Sequence, residues 1–179
     1  MENTEYKFRD LKAEEIEVRI AKVTKTGLQL LLYKDARVDQ NILDETVGAM
    51  NWERDHKELK GNIYCGISIW DETKKQWITK WDCGKESFSD AEKGEASDSF
   101  KRAGFNWGIG RELYTAPFIW VNAKDINLEY DENKKKYSCN DKFYVSKIAI
   151  KDKNITGLAI WNKTKKLRVY VWQKTEEGE

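Results

Sequence analysis

Three consecutive runs in the middle of the chain, "NWERDHKEL", "NIYCGISIW" and "QWITKWDCG", constrain the fold more than any other feature. They are separated only by "KGN" and "DETKK", which is turn chemistry, so they read as an antiparallel meander. Ile63, Cys65, Ile67 and Ile69 share one face of the second run, and Trp77, Thr79, Trp81 and Cys83 share a face of the third. A sheet with an apolar face needs a cover, and the next segment, "KGEASDSFKRAGFNWGIGRELY", reads as a helix. Ser89 or Asp90 is its expected N-cap, and Pro117, the only proline, bars further extension.

That helix is unusual in carrying Gly94, Gly104, Gly108 and Gly110, because glycine in a helix interior costs roughly 1 kcal/mol against alanine. At about 100° per residue, Ala96, Ala103, Gly104 and Trp107 fall beside Phe100 on an arc suited to lie on the sheet. Lys101, Phe105, Asp98 and Arg102 fall on the other side. Two readings of that second arc stand side by side. One is a solvated helix face with Asp98 paired to Arg102; the other is a pair of phosphate-binding cations beside an aromatic ring.

Upstream, "LKAEEIEVRIAKV" (11–23) has Leu11, Ile16, Ile20 and Val23 at near-helical spacing and reads as a first short helix. "TGLQLLLY" (26–33) reads as a strand, and 34–48 as a second helix ending at Gly48. Downstream of Pro117, "FIWVNA", a hairpin around "DENKK", and a meander of "KFYVSKIAI", "NITGLAIWN" and "KLRVYVWQ" are all β, and the tail "KTEEGE" is expected to fray. The expected fold is α+β: an antiparallel three-stranded meander packed on a long helix, preceded by short helices and followed by a C-terminal β-rich extension. The expected division is a core at 1–116 and the extension, of unassigned role, at 117–179.

Composition prunes the chemistry. The 179 residues are 35% charged, yet the net charge is only +1, so a nucleic-acid site must be a local concentration of cations. His56 is the only histidine, which leaves little material for a zinc site or a His-activated nucleophile. There is no GxxxxGK[ST] loop. Asp90, Glu92, Glu95 and Asp98 fall in the first half of the helix, where acids favour the positive dipole end over any need for a metal. No cofactor is expected, and a binding protein rather than an enzyme. Three cysteines without a CxxC indicate a reducing compartment, and no apolar run nears the roughly 18 residues that cross a bilayer. The start lacks a signal-peptide pattern, so the cytoplasm is the expected location.

"GEASDSFKRAGFNWGIGRELY" resembles the signature helix of the Rad-fifty-two family of single-strand annealing proteins and its phage Sak-type relatives. "YKDARVDQNILDETVGAMNW" resembles the same family's Arg-Val segment, helix, glycine and the tryptophan that opens its first sheet strand. The resemblance covers about residues 10–116 in order. It implies an ATP-independent protein of recombination and repair that binds single-stranded DNA and pairs complementary strands. It also implies a closed homo-oligomeric ring with DNA in a basic groove, and a single-strand-binding protein as a candidate further partner. It assigns backbone contacts to Lys101, Arg102 and Arg37. Phe105 stands where some relatives carry a further cation, and is a substitute stacking surface. Lys60 and Lys85 lie near strand ends where relatives have an outer DNA site. Ala49 and Met50 follow Gly48 where relatives have a tyrosine. The eight tryptophans divide between core or interface filling and base stacking, with no sequence feature to sort them.

Rival readings are a double-stranded-RNA-binding-like module, which shares the α-β-β-β-α order, a metal-dependent nuclease, and a purely structural oligomer. Against the first, acids stand where such modules place lysines at the start of the last helix.

Overall fold

A computed structural model describes residues 6–84 and 91–175, with side chains from residue 94 onward in the second stretch. Its elements are β1 (Ile16–Thr24), β2 (Gly27–Lys34), α1 (Ala36–Val47), β3 (Trp52–Leu59), β4 (Asn62–Asp71), β5 (Gln76–Cys83) and α2 (Ala91–Trp107). Then follow β6 (Ile119–Asn122), β7 (Glu129–Asp131), β8 (Lys136–Ser138), β9 (Phe143–Lys151), β10 (Asn154–Asn162) and β11 (Leu167–Gln173). The sheets are antiparallel throughout their pairings. Two compact units form: Met1–Asp10 with Asp35–Arg111, and Leu11–Lys34 with Glu112–Glu179. This grouping differs from a single cut at residue 116, because the hairpin of β1 and β2 clusters with the later strands.

In the first unit β3, β4 and β5 form the expected meander. Leu59 pairs with Asn62 across Lys60 and Gly61, whose φ values of 55° and 77° make the two-residue turn that suits the right-handed twist of a hairpin. Cys65, Ile67 and Ile69 of β4 are fully buried on the face that receives α2, where Phe100 and Ala103 are equally buried. Trp107 Nε1 donates to Ile67 O at 2.9 Å, and the Trp52 and Phe100 rings lie 6.2 Å apart. Trp77, Trp81 and Cys83 pair with Trp70, Gly66 and Tyr64, so they occupy the opposite face. The two apolar stripes read from the sequence thus point to opposite sides of one sheet.

The helix glycines have separate explanations. Gly104 is buried on α2, whereas Gly108 (φ 93°) lies just past the helix end. Gly108 N donates to Phe105 O and Ile109 N to Gly104 O, both at 3.0 Å, which is the paired bond pattern of a Schellman stop. Ile109, the buried residue after it, fixes the exit. The helix therefore ends well before Pro117. The expected N-cap at Ser89 or Asp90 lies outside the described residues.

The second unit holds a six-stranded sheet in the order β11-β10-β9-β1-β2-β6, and a separate β7-β8 ribbon. The expectation of a helix over 11–23 is corrected here. Only Ala13–Glu15 makes a 3-10 turn, and β1 follows at once. Ile16, Val18 and Ile20 alternate with Glu17 and Arg19, and this period of two, in β-branched residues, prevails over the wider near-helical spacing. The other expected strands of this unit form where anticipated. Asp141, almost fully buried, accepts from Asn127 N at 2.9 Å, Asn127 Nδ2 at 2.8 Å and Asn162 Nδ2 at 2.7 Å. That network ties the loop after β6 to the end of β10.

Candidate nucleic-acid interface

The expected DNA-contact residues Arg37, Lys101, Arg102, Phe105 and Lys60 all fall in the first unit, and they do not form one uniform patch. Arg37 sits in the first turn of α1. Asp35, in extended conformation just before it, caps the helix by accepting from Arg37 N at 2.8 Å. The same carboxylate takes the Arg37 side chain two-pronged, Nε to Oδ1 at 2.8 Å and Nη2 to Oδ2 at 3.1 Å. The guanidinium is thereby aimed while its side chain stays 82% exposed.

Lys101 belongs to the same locality. Asp35's carboxyl is held down at about 2, first by the bond from the Arg37 side chain and then by the Arg37 amide, against a small opposing effect of burial. The positive charges of Arg37 and, more weakly, Lys101 add to that depression. α1 and α2 are in contact, and the charges of Arg37 and Lys101, 64 positions apart in the chain, both act on the Asp35 carboxylate.

Arg102 differs from the expectation that it projects away from the sheet. Its Nε donates to Asp82 Oδ1 of β5 at 3.1 Å, and Asn106 Nδ2 reaches Asp82 Oδ2 at 3.3 Å and Trp81 O at 3.0 Å. The Arg102 stem runs along the flank of α2, and its long reach lets it return to the strand edge. Adjacent Lys101 and Arg102 therefore face different neighbours. Phe105 is half-buried, with its carbonyl taken by Arg111 Nε at 3.1 Å and Nη2 at 2.8 Å, a cationic cap on the end of α2. Lys60 occupies the tip of the β3-β4 turn, and Lys85 lies outside the described residues.

Glu95 has a role the sequence did not disclose. It is buried, and its Oε1 accepts from Ile63 N at 2.7 Å, so it binds α2 to the end of β4. Among the described residues no group of three His, Cys, Asp or Glu side chains is arranged to hold a metal ion. Cys65 is buried and its thiol is pushed up to about 11, first by that burial, which suits core filling and not reactivity.

The model of the Rad52/22 family of double-strand break repair proteins matches residues 8–134. The chain belongs to that family. The match starts upstream of the 10–116 covered by the motifs and continues through β6 and into the β7-β8 turn. No curated protein and no solved structure matches the chain. Membership of the Rad52/22 family supports DNA binding in recombination and repair, with single-strand annealing as the general activity and oligomers as the general state. No helix among the described residues is long and apolar enough to cross a membrane.

Proposed function

We propose that this protein binds single-stranded DNA through the Arg37 and Lys101 locality and anneals complementary strands without ATP. The observation that carries the reading is the convergence of these two cations, from separate helices, around Asp35 in a chain of the Rad52/22 family. Phosphate contacts by an exposed, pre-aimed guanidinium and a nearby ammonium give affinity without sequence preference and leave base edges free to test a second strand. A net charge of +1 gives one protomer little electrostatic reach, whereas a closed ring repeats the local site into a continuous track. We therefore propose a ring of many copies, of phage Sak type, acting in the cytoplasm, with a single-strand-binding protein as a further partner. Arg102 supports the track through β5 and Phe105 offers a ring edge beside it; Lys60 and Lys85 form an outer contact.

The α1-β3-β4-β5-α2 order is also that of double-stranded-RNA-binding modules. Glu95 argues against that use, since a buried acid occupies the part of α2 where phosphate-gripping lysines would stand.

The test is annealing of complementary oligonucleotides in EDTA with no nucleotide, alongside mass measurement of the intact particle. Annealing by a particle many times the 21.0 kDa chain mass is expected. Dependence on ATP and magnesium, preference for duplex RNA, or a strictly monomeric active species would each overturn the reading.

A further inference from the structure

The β-rich second unit carries a surface that the annealing reading does not use. A shallow basin of about 740 Å³ is lined by Lys142, Phe143, Tyr144, Trp161, Lys163 and Lys166. Three lysines and three aromatic rings line it, and no acid does. Tyr144 on β9 and Trp161 on β10 are direct cross-strand partners, so their side chains emerge next to each other on one face of the sheet. Tyr144 is 44% exposed and Trp161 half-exposed.

Strand geometry explains the flanking charge. Lys142 and Lys163 are each two positions from a ring along their own chain segments, the spacing that returns a side chain to the same face of a strand. Lys142 O accepts from Lys163 N at 2.7 Å, holding the two lysine-bearing ends together. Lys166 stands at the end of the four-residue loop to β11, with φ 55°. Its loop is organised by Asn162 Oδ1, which accepts from Thr164 N at 3.0 Å and Lys165 N at 3.1 Å. Arg168 pairs with Trp161 from the other side. The acid nearest in register is Glu17, the β1 partner of Tyr144, and Arg19 binds it at 2.8 Å. None of the three basin lysines forms an ion pair among the described residues.

We infer that this basin is a second contact for single-stranded nucleic acid, with bases stacked on Tyr144 and Trp161 and phosphates on Lys142, Lys163 and Lys166. Two rings side by side on neighbouring strands form a platform for unpaired bases, and a lining that holds three lysines and no acid selects a polyanion over an apolar or cationic partner. A basin open to solvent suits an open strand better than a small ligand, which favours an enclosing cavity. This contact lies in the second unit, whereas Arg37 and Lys101 lie in the first, and it gives the C-terminal strands a use in holding single-stranded nucleic acid.

The test uses the full chain, oligothymidylate, and an oligonucleotide carrying 5-iodouracil for photocrosslinking. Crosslinks are expected on the peptides containing Tyr144 or Trp161. Tyr144→Ala, at an exposed ring, should weaken oligothymidylate binding at least about fivefold with melting unchanged. Lys142→Ala with Lys163→Ala and Lys166→Ala should flatten the slope of log affinity against log salt by up to about 2. Crosslinks on the basin that persist in an Arg37→Ala, Lys101→Ala variant would separate this contact from the first. If the wild type binds but no crosslink maps to the basin and both basin variants match it, the inference is overturned while the annealing reading stands. Lysine crosslinks joining Lys163 of two copies, with oligonucleotide binding unchanged in the variants, would make the occupant a second protomer and also overturn it. A wild type that binds no oligonucleotide overturns both.

Discussion

Asp35 and Arg37 hold each other twice, once through the backbone amide that caps α1 and once through the two-pronged side-chain pair at 2.8 and 3.1 Å. One carboxylate thus starts a helix and aims an exposed cation. Asp35→Ala removes both functions and is expected to cost about 1 kcal/mol for the lost cap. It should also weaken single-strand binding, because the guanidinium loses its orientation although the net charge becomes more positive. Thermal melting with oligonucleotide titration checks this; tighter binding in the variant would mean that only the charge sum matters. The Asp35 carboxyl is depressed to about 2, so the stability it gives is present above the ordinary carboxylate range and is lost as pH falls through about 2. The variant should therefore differ from wild type by the same amount at pH 7 and pH 5.

Lys101 and Arg102 should separate on mutation, despite being neighbours. Lys101→Ala is expected to leave melting within about 0.5 kcal/mol of wild type and to flatten the salt dependence of oligonucleotide binding by about 0.7. Arg102→Ala removes a half-exposed partner of Asp82 and should lower stability by up to about 1 kcal/mol as well as weaken binding. Melting of the two single variants distinguishes them, and equal melting would mean that the Arg102-Asp82 pair contributes nothing.

Two glycines should fail for different reasons. A Cβ at Gly84 would lie 2.2 Å from Glu95 O and 3.0 Å from Ser99 N, against the backbone of α2. Gly84→Ala must push helix and strand apart, at about 1–3 kcal/mol or more. A Cβ at Gly108 meets nothing within 4 Å, and only its φ of 93° opposes a side chain. Gly108→Ala is expected to cost about 1–2 kcal/mol with the sheet contacts of α2 intact. Hydrogen exchange of the β4 and β5 amides should accelerate in the first variant more than in the second.

Asp141 predicts acid sensitivity in the second unit. Burial alone would raise its carboxyl, but hydrogen bonds from Asn127 and Asn162 outweigh this and hold it below the usual range. Its contribution is therefore full above the ordinary carboxylate value of about 3.9 and is lost as pH falls through the lower folded value. Asp141→Asn leaves buried donors without an anionic acceptor and should cost roughly 1–3 kcal/mol at neutral pH. Melting measured downward from pH 7 should show the gap between wild type and variant narrowing only below about pH 4. A gap that is constant into strong acid would remove the charge from the explanation.

Local chemistry determined much of this protein in advance. The runs from 51 to 83 alternate and are separated by residues that turn well, so β3, β4 and β5 formed as read. The helix from Ala36 ends at Gly48 because a glycine with φ 84° is available there. β9, β10 and β11 were legible for the same reason: period-two alternation and short loops are properties of neighbours in sequence. Arg37 and Lys101 could be proposed as DNA contacts because the motifs in which they lie are themselves local patterns.

Tertiary structure decided what depends on distant partners. Residues 16–24 became a strand because β2 offers a ladder along them and β9 pairs on the other side, where Glu17 meets Tyr144 across most of the chain's length. Arg102 turned toward Asp82 rather than outward, since a long flexible side chain goes where a charge awaits it, and no helical wheel includes the strand next door. Whether the Trp77-Trp81 stripe faces α2 or away from it rested on the register with β4, which pairs Trp81 with Gly66. The gathering of Lys142, Tyr144, Trp161 and Lys166 in one basin likewise follows from strand pairing. Propensity acts within a few residues, whereas burial, charge pairing and sheet register act between residues that only the folded chain brings together.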